Sequence, residues 1–220
     1  MRHRTTITHR YSLLACIVAV LSFSGCTYSN LFVPADPGQN MRPGVLAVIS
    51  GSDGDADVKF TGYLSEELRK NTTFQVLSQD AIRKKVPGYP LQIIDVAAVK
   101  NSADPFGAFP GNKAKVDEIQ KQLKADYVFV VWIQSMKKTY EQTSTLGTTR
   151  VMQYDADGRA RLLKYPGGKV IAYTEAPGFE HPGLFSSKKE SEYIEGMLKQ
   201  MANFVRVKFA EVTKSGKEAK

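Results

Sequence analysis

Cysteine and histidine are nearly absent from this chain: two and three residues in 220, and four of those five lie within the first 26 positions. Beyond Cys26 no thiol remains, which excludes an internal disulfide framework, a Cys–His nucleophile and a thiolate zinc site from the rest of the chain. His181 alone is left for imidazole chemistry. It sits in EHPG, a turn-rich stretch where an exposed loop histidine is the ordinary reading, and no GxSxG elbow accompanies it, so a hydrolase built on His181 has little support. No run of about 20 apolar residues is present, so no membrane-spanning helix is expected. No GxGxxG, P-loop or internal repeat occurs, and no Lys/Arg stripe interleaves with aromatics, which argues against nucleic acid as a partner. The expectation is a protein that is not an enzyme and holds no cofactor.

What is present begins at the N-terminus. Arg2, Arg4 and Arg10 precede an apolar core of 11 residues from Leu13 to Phe23, too short to span a bilayer and of the length of an export signal. The small residues Ser24 and Gly25 then lead to Cys26. LSFSGC resembles the lipobox of bacterial lipoproteins, which implies cleavage before Cys26 and lipidation (palmitate-type acyl chains) of that cysteine; plain secretion is the alternative. Three acyl chains at about 0.8 kcal/mol per buried methylene exceed what stable anchoring needs. Thr27 stands where lipoproteins retained at the inner membrane usually carry Asp, so the resemblance implies an outer-membrane anchor facing the periplasm. Removing residues 1–25 leaves 195 and lowers the formal charge from +8 to +5 through the loss of three arginines. So mild a surplus, scattered along the chain, sets no partner class by itself.

The expected organisation is a signal over 1–25, the lipidated cysteine and a flexible tether over 26–44, one α/β domain over 45–212 and a disordered basic tail over 213–220. The tether TYSNLFVPADPGQNMRPG has no periodicity, and fully extended it would reach roughly 60 Å. VLAVIS at Val45 to Ser50 is a continuous apolar run, as in a strand covered on both faces. Phe60, Leu64 and Leu68 recur at helical spacing, with Asp57 available as the N-cap and Asn71 as a stop. FQVL at Phe74 to Leu77 reads as a strand, Ser78 or Asp80 caps a short helix before Pro87, and 87–111 reads mostly as loop.

Asn112 to Ala125 is a polar helix with Val116, Ile119 and Leu123 inward, feeding YVFVVWI at Tyr127 to Ile133, which should be the centre of the sheet. Met152 to Leu162 alternates with period two, Met152, Tyr154, Ala156, Gly158, Ala160 and Leu162 lying on one face. One long half-exposed strand is predicted, with a hairpin at Asp155 to Gly158 as the competitor. The small residues on its inner face leave room for a closely packed helix. PGGK at Pro166 to Lys169 is a turn into a returning strand, Val170 to Thr174. Ser187 and Glu190 are set as a capping box before a long helix whose stripe is Ile194, Met197, Leu198, Met201, Phe204, Val205 and Val212. The fold class is therefore a single α/β domain with a mixed sheet of about four to five strands packed by helices.

Candidate sites are few. Phe106 and Phe109 in DPFGAFPG, and more weakly Tyr89 in PGYP, are aromatics in a loop and candidate anchors for a protein partner. Asp53, Asp55 and Asp57 alternate as calcium-loop carboxylates do, but a twelve-residue loop counted from Asp53 places Val58 where glycine is needed and Leu64 where glutamate is needed, so no metal is expected there. Asp155 and Asp157 on an exposed strand face are expected to pair with Arg159 and Arg161.

The Ala125-Asp126 dipeptide leading from a polar helix into a hydrophobic strand, and RARLLKYPGGKVIAYT as a strand, glycine turn and apolar strand, give residues 45–175 a pattern that resembles the periplasmic proteins sharing the fold of CsgG, LpoB and the N-terminal domain of TolB. That resemblance implies an α/β sandwich and a non-enzymatic role in envelope assembly, secretion or cell-wall synthesis, with an envelope protein as partner. The alternative is a module that binds a wall polymer or small molecule through the 87–111 loop.

Overall fold

The computed structural model describes residues 33–35, 41–99, 109–142, 150–180 and 187–215. Cys26, Phe106 and His181 lie outside the described residues, as do the signal and most of the tail. In chain order the elements are β1 Val33–Pro34, β2 Val45–Ser50, α1 Asp55–Asn71, β3 Gln75–Val76, α2 Gln79–Lys85, α3 Val96–Val99, α4 Lys113–Leu123, β4 Tyr127–Gln142, β5 Arg150–Lys164, β6 Lys169–Glu180 and α5 Glu190–Ser215. The strands form one mixed sheet in the order β1-β6-β5-β4-β2-β3. β2 is parallel to β3 and β4, and the β4, β5, β6 and β1 pairings are antiparallel. Four strands are long and the two at the edges are two residues each, a single α/β domain of the expected class.

Helices cover the sheet on both sides, which is why VLAVIS and YVFVVWI are apolar at consecutive positions. On one face α1 and α5 pack Phe60, Leu64, Leu68, Met197, Leu198, Met201 and Val205 against Leu46, Val48, Phe129, Val131, Ala160 and Leu162. Phe209 lies at the centre of this layer, its ring centroid 5.4 Å from that of Phe74 and 5.5 Å from that of Phe129. On the other face Ile82, Val86, Val116, Ile119 and Leu123 cover Ala47, Ile49, Val128, Val130 and Trp132. The alternating segment around Asp155 is one uninterrupted strand and not a hairpin. Its small residues admit α5 closely: a Cβ on Gly178 of the neighbouring strand would lie 2.6 Å from Met197 Cγ, and one on Gly158 would overlap the Met201 methyl.

Four local expectations are corrected. Val33 and Pro34, assigned to the tether, pair with Tyr173 and Ala172, and Ala35 donates to Ile171 at 2.7 Å. Proline is tolerated there because β1 is the outermost strand. Asp57 is not the N-cap of α1; Gly54 holds that position without a side-chain cap, and Asp57 sits in the first turn. The described part of the 87–111 region is mostly loop, as expected, with the four-residue α3 and a bridge between Ile94 and Gly111. The carboxylate that caps α5 is Glu192, which accepts the Lys189 N–H at 2.6 Å, because the helix starts at Glu190. That helix continues to Ser215, three residues beyond the expected domain end.

Candidate docking face

Of the loop aromatics chosen from sequence, Tyr89 and Phe109 are used internally, and Phe106 lies outside the described residues. Tyr89 is 8% exposed, and its hydroxyl accepts the Ser50 N–H at 2.8 Å while donating to Gln79 Oε1 at 3.2 Å. Gln79 in turn donates to the Val48 carbonyl. Burial pushes the Tyr89 phenol up to about 12, the Ser50 N–H acting the other way. Tyr89 thus satisfies the end of β2 and presents no docking surface. Phe109 packs half-buried on the second core layer, and a Cβ on Gly111 would come within 2.9 Å of its Cε1. Phe109 reads as an exposed anchor because sequence alone does not show that Gly111 lets the chain fold down onto Ile94.

The aspartates after β2 also separate. Asp53 and Asp55 are exposed, whereas Asp57 turns inward and accepts the Ile133 N–H through Oδ1 at 2.7 Å. Burial raises its pKa above the ordinary carboxylate value against the lowering effect of the Ile133 and Ser52 hydrogen bonds. Among the described residues no group of three or more His, Cys, Asp or Glu is placed to hold a metal.

A better candidate lies where the long strands run past the helices. A bulge between Ile133 and Ser135 shifts the alternation of β4, so that Ser135, Lys137 and Thr139 come opposite Asp157, Asp155 and Gln153 on the face that Trp132 occupies further back. On β6 the same face carries Tyr173, Glu175, Pro177 and Phe179, paired with Arg161, Arg159, Asp157 and Asp155. On this face Ser135, Lys137, Asp155, Asp157, Arg159, Glu175, Pro177 and Phe179 line a groove of about 610 Å³. α5 packs on the opposite side of β5 and β6, through Gly158 and Gly178.

The groove is electrostatically organised. Arg159 bridges Asp157, at 2.7 Å, and Glu175 across the strands. Gln153 Nε2 and Thr139 Oγ1 both donate to Asp155. Phe179 is 56% exposed at the groove's rim. Behind the groove, Arg161 is buried between the rings of Trp132 and Tyr173, its Cζ 5.6 and 5.0 Å from their centroids. Its Nη1 donates to the Ala160 carbonyl, and its Nε has no hydrogen-bond partner among the described residues. Desolvation, aided by Arg159, lowers its pKa to about 10. The expected pairing of the strand aspartates with Arg159 is present for Asp157; Arg161 instead stacks on aromatics.

A second hollow of about 550 Å³ lies below the β5–β6 turn. Its polar groups serve the turn: Lys113 Nζ donates to both Asp117 oxygens at 3.0 and 2.8 Å, and Tyr165 donates to Asp117 Oδ1 at 2.7 Å. Burial opposes ionisation of Asp117, and those two donors outweigh it, holding the carboxyl below its usual value.

The sequence matches no protein-family description and no curated protein. Among solved structures, the chain is similar to the lipoprotein GNA1162 from Neisseria meningitidis, at 10% identity over 74% of this chain and 98% of that one with a TM-score of 0.41. It is also similar to a PelC dodecamer from Paraburkholderia phytofirmans (12% identity, 76% and 93% covered, TM-score 0.40) and to the hypothetical protein CT253 from Chlamydia trachomatis (15% identity, 79% and 95% covered, TM-score 0.41). Likeness of that size carries no inference about what this chain binds, and the resemblance to CsgG, LpoB and TolB is not shown by it.

Proposed function

We propose that this protein is a lipid-anchored envelope accessory factor, attached through Cys26 to the periplasmic side of the outer membrane, which binds an envelope protein and performs no catalysis. The anchor is supported by the basic start, the 11-residue apolar core and LSFSGC. The observation that carries the binding role is the open groove on the extended β4–β5–β6 face. Its ion pairs, Arg159 with Asp157 along β5 and with Glu175 across to β6, are only part-buried, which leaves charged groups of both signs open to a polar protein surface.

A photo-crosslinking residue at Glu175, introduced in living cells, tests this reading, with Lys121 on α4 as the control position. One recurrent envelope-protein adduct from position 175 and none from 121 is the expected result. Adducts to glycan alone would replace the protein partner with a wall-polymer ligand, and no adduct at either position would contradict a binding role for the groove.

A further inference from the structure

We infer that the domain is held flush against the bilayer with its β6 edge toward the lipid surface and Phe179 in the headgroup zone, rather than standing off on a long tether. The inference rests on lipidation at Cys26. Its structural basis is β1: Val33 is fixed opposite Tyr173, and Ala35 is hydrogen bonded to Ile171 at 2.7 Å. Only six residues lie between Cys26 and Val33, a maximum reach of about 25 Å in place of the roughly 60 Å of the unpinned segment. The bilayer surface is therefore within that distance of one particular sheet edge.

Strand order then fixes the orientation. β6 and β1 form one edge and β3 the other, with β5, β4 and β2 between them. At roughly 4.8 Å per strand the β3 edge is on the order of 24 Å further from the pinned point. An anchor attached at β1 therefore turns the β3 edge, with Arg83, Lys84 and Lys85 at the end of neighbouring α2, away from the membrane. β1 is antiparallel to β6, so the chain leading back to Cys26 departs toward the Glu180 end of β6. Phe179, one of two large apolar side chains that stand exposed among the described residues, lies at that end. Lys138 near that end is paired to Glu190, so the lipid contact is apolar and interfacial and does not depend on anionic headgroups. A groove partner would accordingly be met next to the membrane surface.

The test uses the lipidated mature chain in phosphatidylcholine vesicles, where a lipid-blocked Cys26 leaves no other thiol. Phe179→Cys, Lys169→Cys and Lys84→Cys, each at an exposed position, carry an environment-sensitive fluorophore, and nitroxide-bearing lipid is the quencher. Circular dichroism confirms that each labelled protein is folded. Quenching at 179 is expected to exceed that at 84 by about twofold or more, with 169 also above 84 and the ranking unchanged in high salt. Equal quenching at the three positions, or the greatest at 84, would overturn the orientation while vesicle binding and the lipid mass on Cys26 stay intact. A Cys26 without lipid, seen by mass spectrometry and by loss of the vesicle-bound fraction, would overturn the anchor and the orientation with it.

Discussion

Asp57 and Ile133 are 76 residues apart in sequence, and the carboxylate of one accepts the backbone N–H of the other at 2.7 Å, tying the first turn of α1 to β4 just before its bulge. Asp57→Ala leaves that N–H without its acceptor and is expected to cost about 1–3 kcal/mol in urea unfolding. Asp57→Asn keeps an acceptor oxygen and should be close to wild type at neutral pH. The folded-state pKa of Asp57 is raised, so the native protein binds this proton more tightly than the unfolded chain. Its contribution therefore declines as pH rises from the ordinary aspartate value through the raised one. Asp57→Asn removes that part of the pH dependence, and an unchanged slope in pH-resolved unfolding would contradict the assignment.

Phe209 is fully buried between Phe74 and Phe129 near the C-terminal end of α5. Phe209→Ala should cost about 3–5 kcal/mol through lost burial and the cavity left behind. Thermal unfolding with both transitions two-state measures it, and a loss below about 1 kcal/mol would show that the last turns of the helix do not hold the sheet.

Arg161 places a charge in the sheet face with aromatic rings on two sides and no acidic partner among the described residues. Its lowered pKa means that the native state binds this proton less tightly, so stability gains with pH between about 10 and the ordinary arginine value. Arg161→Met retains bulk and removes the desolvated charge, and the expected stability is equal to wild type or higher by about 1 kcal/mol. A loss of several kcal/mol on denaturant titration would instead show that the guanidinium is held by interactions worth more than its desolvation.

Arg159→Glu reverses the cation at the middle of the groove, next to Asp157 and Glu175, on a part-exposed surface. The fold should survive with a change of about 1 kcal/mol or less. Recovery of the envelope partner by crosslinking from position 175 should fall severalfold. Full recovery with the charge reversed would remove the groove from the interface.

The parts of the fold that were legible in the sequence are those where one face or both are apolar. VLAVIS, YVFVVWI, the α4 stripe and the inner face of β5 all carry their burial in their periodicity, and Gly158 with Ala160 announced the close approach of α5. The distal halves of β4 and β6 were not legible, because SMKKTYEQ is polar on both sides and Pro177 argues against a strand; at that level β6 has a described strand on one side only, where proline is tolerated. The groove was missed for the same reason, since it forms only once the Ile133/Ser135 bulge rotates Lys137 onto the face of Asp155. Tyr89 was misplaced because a tyrosine between prolines looks like a loop residue, whereas its hydroxyl meets the backbone end of β2 at Ser50. β1 escaped notice because two residues carry no periodicity.

The most direct measurement is intact and peptide mass spectrometry of the protein extracted from cell membranes, comparing wild type with Cys26→Ser. The account predicts a mature chain beginning at Cys26 with diacylglyceryl and N-acyl mass on that residue, and a variant that loses both the lipid and the membrane. An unmodified Cys26 on a protein released into the soluble fraction would contradict it.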